Sequence, residues 1–374
     1  MEITLTAKVR LDVSKQARPL LKESMDRYRD ACNYVSEYVC RTYELRSIEL
    51  HKALYRDLRS RFSLKAQLAQ SVIRTVVARY RTLRTNKMPW ARIRFKKPQM
   101  DLVWNRDYSL VNGLLSVNTL QGRLKIPYFS HGMEKFFDKD NYRFGTAKLV
   151  LKHEKWYLHI SVATIRENIS PKDITNVVGI DRGINFLMAT YDSNGRSGFV
   201  SGKSIKQMRA HYKNLRTQLQ QRKTPSARRR LKAIGQRENR WMRDVNHCIS
   251  KALVENNPSR TLFVLEDLKN VRKTTERVKR KDRYVSVSWA YYDLEQKLAY
   301  KAALAGSLII KVDPAYTSQR CPVCGHTERS NRDKKLHRFL CKKCGYQSND
   351  DRVAAMNLYQ KGMHYLVPNT VACG

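Results

Sequence analysis

Acidic residues are scarce in this 374-residue chain, and long apolar runs are absent from it. The chain has 33 Asp and Glu against 73 Lys and Arg, which gives a formal net charge of +40. A field of this sign and size implies a polyanionic partner, with nucleic acid the first candidate and an anionic membrane the second. No stretch approaches the ~18 apolar residues of a spanning helix, and the N-terminus lacks the charged-then-apolar form of a signal peptide. We therefore expect a soluble, intracellular protein.

The sequence also lacks internal repeats and any complete DNA-reading module, such as a helix-turn-helix dimer or a finger array. Since 42% of its residues are hydrophobic, the chain can still bury real cores, and its length indicates two or three domains. A disordered tail is thereby excluded. Any sequence specificity on nucleic acid must come from something other than such a module.

The N-terminal part of the chain changes between strand and helix patterns. Residues 2–12 alternate apolar and polar side chains, which predicts one strand with one solvated face. From 14 to 85 apolar residues recur every three or four positions, which predicts about three helices. Between 91 and 165 strand patterns return, beginning at the motif ARIRFKK and including turns at Asn112-Gly113 and at the motif HEK. Because a lone strand is unstable, we pair the first with these later strands, and the helices become an insertion in a small β-barrel.

After a polar linker at 168–176, the pattern becomes that of an α/β domain. Apolar strands are predicted at VVGID, NFLMATY, GFVSG, TLFVLEDL and SLIIKVD. A basic hairpin of two helices is predicted at 203–256, and a further helix around 289–305. The segment VRKTTERVKRKDRYVS between them is interpreted as a basic loop.

Two stretches of the chain are strongly basic. Residues 201–250 hold fourteen Lys or Arg and two acids, and residues 61–100 hold eleven basic and no acidic residues. A charge run is commonly a solvated helix face, but this bias of sign exceeds what solubility needs. We interpret both stretches as phosphate-facing surfaces without base specificity of their own.

Three acids stand where apolar segments end or begin. Asp181 closes VVGID, Glu266 closes LFVLE, and Asp351 opens a helical segment that runs to about Tyr359. Each alone is commonly a turn former or a helix N-cap. Neighbouring strand ends and a helix N-terminus can, however, deliver side chains to one crevice, where crowded carboxylates need divalent cations to stay ionised. In so basic a chain, such a pocket fits two-metal phosphodiester hydrolysis, with the ions about 3.5 to 4 Å apart.

Four of the eight cysteines form two CxxC pairs, each followed by glycine, with sixteen residues between the pairs. The pairs are Cys321 with Cys324 and Cys341 with Cys344. Four buried structural thiols are the alternative, but the spacing favours one tetrahedral, structural zinc ion. Because four thiolates fill such a site, His326 and His337 are left out of it. Three scattered cysteines, Cys32, Cys40 and Cys248, lie in helical apolar patterns typical of small buried thiols.

Four motifs resemble, in their order and context, the RuvC-like nuclease region of TnpB proteins, the transposon-encoded, RNA-guided relatives of type V CRISPR effectors. The motifs are GIDRGINFLMATYDSNG, LFVLEDLKNV, AYKAALAGSLIIKVDPAYTSQRCPVCGH and CKKCGYQSNDDRVAAMNL. The resemblance is specific over about 171–374 and looser over 1–170.

This resemblance implies catalytic residues and a domain order. The catalytic acids, which bind two Mg²⁺ ions, would be Asp181, Glu266 and Asp351; aligning Ala354, Ala355 and Asn357 with the family motif selects Asp351 over Asp350. The family usually has asparagine where this chain has Val353, so a site braced by that asparagine would be weaker or braced differently. The fold would be α+β and multidomain: a β-barrel (wedge) domain at 1–13 and 89–170, an inserted helical recognition domain at 14–88, and an RNase H-like, RuvC-like α/β nuclease domain at 171–374 with a zinc-binding insertion at about 314–348.

The implied activity is RNA-guided DNA cleavage. The partners would be a structured guide RNA from the transposon end and target double-stranded DNA beside a short motif, with no membrane involved. The protein would be a monomer in complex with one RNA. It would act in the prokaryotic cytoplasm and at the nucleoid when bound to DNA. The alternatives are a nuclease-inactive RNA-guided DNA-binding repressor, which should lack one of the three acids, and a DNA transposase or resolvase that acts without RNA.

One basic helix is a candidate for reading the DNA motif. It carries amide, hydroxyl and cationic side chains that suit base edges: Lys65, Gln67, Gln70, Ser71 and Arg74. A polar, solvent-exposed helix face explains the same pattern equally well.

Overall fold

The computed structural model describes residues 1–183, 185–268, 291–334 and 336–367. The chain divides into two compact units, one of residues 2–165 and one of residues 166–374 with Met1. Within the described ranges, no helix combines the length and the apolar character that crossing a bilayer demands.

The first unit contains a nearly closed, barrel-like antiparallel sheet. Its strands are β1 (Glu2–Leu11), β2 (Gln99–Leu102), β3 (Tyr108–Val111), β4 (Leu114–Thr119), β5 (Gly122–Phe129), β6 (Arg143–Lys152) and β7 (Lys155–Ile165), in the order β2-β6-β7-β1-β5-β4-β3. The whole of β1 pairs with β7, and its end also pairs with β5. The predicted return of the first strand to the later β segment is therefore confirmed.

Both predicted tight turns are also confirmed. Asn112 and Gly113 join β3 to β4 with φ values of 49° and 74°, and His153 and Glu154 join β6 to β7 with φ values of 48° and 61°. Two consecutive positive φ values are the requirement of the hairpin turn whose twist matches that of the strands.

The prediction of a strand at ARIRFKK is wrong, because residues 91–97 form no ladder. Side chains satisfy the backbone there instead. Ser36 Oγ donates to the carbonyl of Ile93 at 2.7 Å, and the amide of Asn33 exchanges two hydrogen bonds with the backbone of Phe95 at 2.8 and 3.1 Å. Since backbone groups need partners of any kind, side chains from a helix can replace a neighbouring strand.

Three helices lie between β1 and β2, as predicted: α1 (Ala17–Thr42), α2 (Ser47–Ser60) and α3 (Ala66–Thr85). Their apolar faces join the barrel core, in which Tyr28 and Tyr80 are fully buried. Cys32 is buried as expected and Cys40 is half-buried.

The second unit has a mixed five-stranded sheet in the order β10-β9-β8-β11-β12. The strands are β8 (Asn176–Asp181), β9 (Phe186–Asp192), β10 (Ser197–Ser201), β11 (Thr261–Glu266) and β12 (Leu308–Val312). β8, β11 and β12 are parallel to one another, whereas β9 is antiparallel to both of its neighbours, β8 and β10. All five predicted strands are present. The carboxyl ends of the three parallel strands β8, β11 and β12 lie side by side along the same edge of the sheet.

The basic segment 203–256 forms three helices rather than the predicted two: α4 (Lys203–Arg222), α5 (Pro225–Ile234) and α6 (Arg237–Glu255). The extra break follows α5, where Gly235 adopts a φ of 45° that other residues rarely adopt. Cys248 on α6 is exposed, contrary to the expectation of a buried thiol. The predicted basic loop and Cys373 fall outside the described residues.

Two further helices, α7 (Tyr291–Leu304) and α8 (Asp350–Leu366), belong to this unit. α8 is longer than predicted and lies close against the sheet. At Gly179 in β8, a Cβ atom would collide with the backbone of Ala355 and Tyr359, and at Gly362 in α8 it would lie 2.5 Å from a methyl carbon of Val264. Glycine at both surfaces therefore permits this close approach.

Candidate carboxylate and zinc sites

Asp181 and Glu266 are the last residues of neighbouring parallel strands. The register of β8 with β11 places Ile180 opposite Leu265, so the next position brings Asp181 beside Glu266. Adjacent strands lie about 4.8 Å apart, and both carboxylates therefore reach the same edge of the sheet. The sequence placed both acids correctly at strand ends.

Asp351 lies in the first turn of α8 and is not its N-cap. Asn349 caps the helix, because its side-chain oxygen accepts hydrogen bonds from the backbone N–H groups of Asp351 at 3.0 Å and Arg352 at 3.1 Å. The alternative of Asp351 as a helix N-cap is thus wrong, and the helix begins at Asp350, one residue earlier than predicted. Relieved of capping, the carboxylate of Asp351 is available for other partners.

The negative charges of Glu266 and Asp351 act on Asp181. Burial raises the pKa of Asp181 well above its usual range, and the negative charges of Glu266 and Asp351 raise it further. Burial also raises the pKa of Glu266 and that of Asp351, and the charge of Asp350 adds to the shift at Asp351. Like charges close together in a partly dry site favour the protonated form unless cations neutralise them.

Two side chains that the sequence did not single out hold Glu266. Thr317 donates its hydroxyl hydrogen to Oε1 of Glu266 at 2.5 Å, which opposes the rise in the pKa of that acid. Arg182 donates to the backbone carbonyl of Glu266 at 2.6 Å and pairs with Glu295 on α7 at 3.3 Å. Thr317 lies in the motif YTSQ (residues 316–319), and this motif could have indicated its role. The contact of Arg182 with Glu266 is set by tertiary packing alone, so no sequence pattern predicts it.

A cation from the predicted zinc-binding segment lies among the carboxylates. Arg332 donates through Nε to Asp350 at 2.7 Å, and its Nη2 lies 3.8 Å from Asp351. Asp350 is fully buried, so an ion pair satisfies a charge that would otherwise be costly. The positive charge of Arg332 also lowers the pKa of Asp181. No sequence pattern indicated this residue.

Asn357 on α8 holds residues 317–320. Its side-chain amide donates hydrogen bonds to the backbone carbonyls of Thr317 at 2.7 Å and Arg320 at 2.8 Å. Val353, one turn earlier, is fully buried against the zinc-binding segment with Phe339 and Tyr346. A valine here contributes apolar packing and offers the carboxylates no hydrogen bond.

The four sulfur atoms of Cys321, Cys324, Cys341 and Cys344 lie within 4.8 Å of one another. Each pair forms the same turn: the N–H of Gly325 donates to the carbonyl of Cys321, and that of Gly345 to the carbonyl of Cys341, both at 3.0 Å. Both glycines have positive φ values, 74° and 73°. Four convergent thiols fit a closed tetrahedral zinc site, and three carboxylates fit hard divalent cations such as Mg²⁺.

The predicted zinc-binding segment is joined to α8 by a small three-stranded sheet. Its strands are β13 (Arg332–Asp333), β14 (Arg338–Leu340) and β15 (Gln347–Asn349), and β15 leads directly into α8. The segment thereby fixes the helix end that carries Asp351.

The five residues predicted to read DNA lie at the start of α3 in the first unit. Lys65 contacts Asn118 at 3.4 Å, Gln67 accepts a hydrogen bond from Arg106 at 2.9 Å, and Gln70 is half-buried. Arg74 is exposed, whereas only 5% of Ser71 is. The guanidinium of Arg74 is therefore the best placed of the five for a contact in solution.

Two family models match the chain in succession. The family described as "Probable transposase" (OrfB_IS605) matches residues 159–278, and the Cas12f1-like TNB domain matches residues 291–358. The first match includes Asp181 and Glu266, and the second includes the four cysteines and Asp351.

Curated relatives carry related names. A CRISPR-associated endodeoxyribonuclease Cas12f1 of Sulfoacidibacillus thermotolerans is 33% identical over 222 residues, 55% of this chain and 50% of that protein. The protein named "Putative RNA-guided DNA endonuclease InsQ" of Escherichia coli is 29% identical over 59% of this chain and 56% of its own length. A TnpB-like protein of Methanocaldococcus jannaschii is 25% identical over 61% of this chain and 82% of its own length. The chain spans about half the length of the first two.

A solved structure shows a similar fold. The protein chain in a Cas12f1–sgRNA–target DNA complex matches with a TM-score of 0.60 at 13% identity, over 96% of this chain and 98% of that one. Together, the two family models and the curated relatives show that the chain is similar to TnpB-like proteins and to Cas12f1 endonucleases.

Proposed function

We propose that the chain is an RNA-guided DNA endonuclease whose second unit is an RNase H-like, RuvC-like nuclease domain. The observation that carries the proposal is the position of Asp181 and Glu266 side by side at the ends of neighbouring parallel strands, with Asp351 near enough for its charge to raise the pKa of Asp181. An acidic pocket of this kind in a chain of net charge +40 is best explained by metal-dependent work on a polyanion.

The residues divide the work between binding and chemistry. Asp181, Glu266 and Asp351 would hold two Mg²⁺ ions, which when bound supply an activated water and stabilise the leaving oxygen. Thr317 and Arg182 keep Glu266 oriented, and Arg332 neutralises part of the negative charge before metal binds. The thiols of the four clustered cysteines would hold one structural zinc ion.

Guide RNA would supply the sequence specificity. The relatives' names and the solved complex support this, since one relative is named an RNA-guided endonuclease and the complex contains sgRNA and target DNA. The basic stretches 61–100 and 201–250 would contact the phosphates, and α3 would read a short motif beside the target, with Arg74 foremost. We propose one chain with one RNA, encoded by a transposon and acting in the prokaryotic cytoplasm.

Neutral variants of the three acids test the catalytic assignment. Asp181→Asn, Glu266→Gln and Asp351→Asn should each lower the cleavage rate more than about 100-fold, because loss of a metal ligand exceeds the usual 10–100-fold effect of its supporting partners. Binding of RNA and DNA should persist, since it depends on Lys and Arg. The measurement is cleavage of a matched duplex in Mg²⁺ beside gel-shift binding.

Asp192→Asn is the matched control, because Asp192 ends β9 at the opposite edge of the same sheet, where it accepts turn hydrogen bonds. It should cleave at the wild-type rate. Asp350→Asn tests the alignment and should retain much of the activity. An inactive Asp350→Asn protein beside an active Asp351→Asn protein would show that the third acid is misassigned.

A further inference from the structure

His337, Asp350 and Asp351 form a second group of ligand atoms, which shares Asp351 with the proposed nuclease site. One atom of each lies within 4.8 Å of the other two. His337 comes from the turn before β14, whereas both acids come from the first turn of α8. The zinc-binding segment and the nuclease helix therefore meet at this point, and His337 is not used by either site described above.

Two polar atoms of this group lack hydrogen-bond partners in the described part of the chain. They are Nδ1 of His337 and Oδ1 of Asp350, both buried, and they face each other at 3.4 Å without hydrogen-bond geometry. Asp350 is completely buried, and its other oxygen is taken by Arg332. Unpaired buried polar atoms are costly, and a cation between them would satisfy both at once.

We infer that His337, Asp350 and Asp351 bind a divalent first-row transition-metal ion such as Mn²⁺. An imidazole nitrogen beside two carboxylates favours these ions over Mg²⁺, which prefers oxygen ligands alone. The inference deepens the proposed function because the ion would share Asp351 with the nuclease site. It does not require guide RNA or cleavage.

The second ring nitrogen of His337 contacts Asn185. Nε2 lies in a short contact with Nδ2 of Asn185, while the amide oxygen of Asn185 accepts a hydrogen bond from Nζ of Lys206. Coordination through Nδ1 requires a hydrogen on Nε2, so metal binding must turn this amide over and displace its contact with Lys206.

Pulsed electron paramagnetic resonance of Mn²⁺ on the full chain tests the inference, because the echo is modulated by a nitrogen nucleus bonded to the metal. Wild-type protein with its zinc retained should show nitrogen modulation. His337→Gln should abolish the modulation and weaken Mn²⁺ binding roughly 10–100-fold. His326→Gln is the control, since His326 also lies in the zinc-binding segment but pairs with Glu328.

Absence of nitrogen modulation in the wild type, or its persistence in a folded His337→Gln protein, overturns the inference. Zinc content and circular dichroism establish that the variant is folded. Nitrogen modulation in a protein that cuts no DNA would leave this metal site standing and refute the proposed endonuclease.

Discussion

At the scale of single residues, Asp181 combines burial with two negative neighbours. Burial and the neighbouring charges raise the pKa of Asp181. The folded chain without Mg²⁺ therefore holds the carboxyl proton of Asp181 more tightly than the unfolded chain does. The stability that the proton contributes is fully present below the unfolded pKa and is lost as the pH rises through the folded pKa. Near neutral pH, the metal-free site therefore lowers the stability of the fold.

Asp181→Asn should consequently stabilise the Mg²⁺-free protein. The free energy of unfolding should rise on the order of 1 kcal/mol near pH 7.5, as is common when a strained functional group is neutralised. The gain should shrink as the pH falls, because wild-type Asp181 then becomes protonated. Urea unfolding at several pH values measures it, with Asp192→Asn as the control. A variant less stable than the wild type at neutral pH would contradict the account.

The sequence identified the acids but not the residues that surround them. Asp181 and Glu266 were recognisable because each ends a continuous apolar strand, and the four cysteines because their spacing and glycines fit zinc. Arg332 and His337 were not assigned to the carboxylates, because neither their spacing nor their local pattern records that the zinc-binding segment folds back onto α8. Such contacts are set by tertiary packing.

At the scale of elements, the position of Asp351 depends on how closely α8 approaches β8. Gly179 allows that approach, since any Cβ there would meet the backbone of α8. Strands and hairpins were predicted well because turn residues and alternation are local signals. Residues 91–97 were mispredicted because their backbone partners are side chains of distant helices.

Gly179→Ala should destabilise the protein by at least about 1–3 kcal/mol, the usual cost of overpacking, because the atoms it meets are backbone and cannot rotate away. Gly145→Ala is the matched control: it also lies in a strand, and its Cβ would make ordinary contacts of 3.6 Å or more. Urea unfolding of both variants is the measurement. Equal stability of the two would show that α8 lies farther from β8 than described.

Zinc should act on cleavage through α8. Cys341→Ser with Cys344→Ser should remove one zinc ion per chain and lower the cleavage rate at least about 10-fold, because the segment that orients the end of α8 is released. Elemental analysis and a cleavage assay measure both effects. Cys248→Ser, which changes an exposed thiol, should alter neither. Unchanged zinc content in the double variant would refute the assignment of the metal.

At the scale of the whole molecule, the net charge is strongly positive, although the proposed catalytic residues are acidic. The chain has a net charge of +40, whereas the proposed catalytic residues are three acids. The basic residues would account for the proposed binding to nucleic acid but carry no sequence information. A specific nuclease of this composition therefore needs an external source of sequence, and base pairing with a guide supplies one.

The most direct test exchanges the guide. The protein, expressed with its native flanking DNA, should copurify with a discrete structured RNA whose 3′ end is guide sequence. Replacing only that guide should redirect Mg²⁺-dependent cleavage to a duplex that matches the new guide and lies beside the same short motif, while the original duplex remains intact. Equally selective cutting of one particular duplex by RNA-free protein would contradict the account and identify the chain as a transposase or resolvase that reads DNA directly.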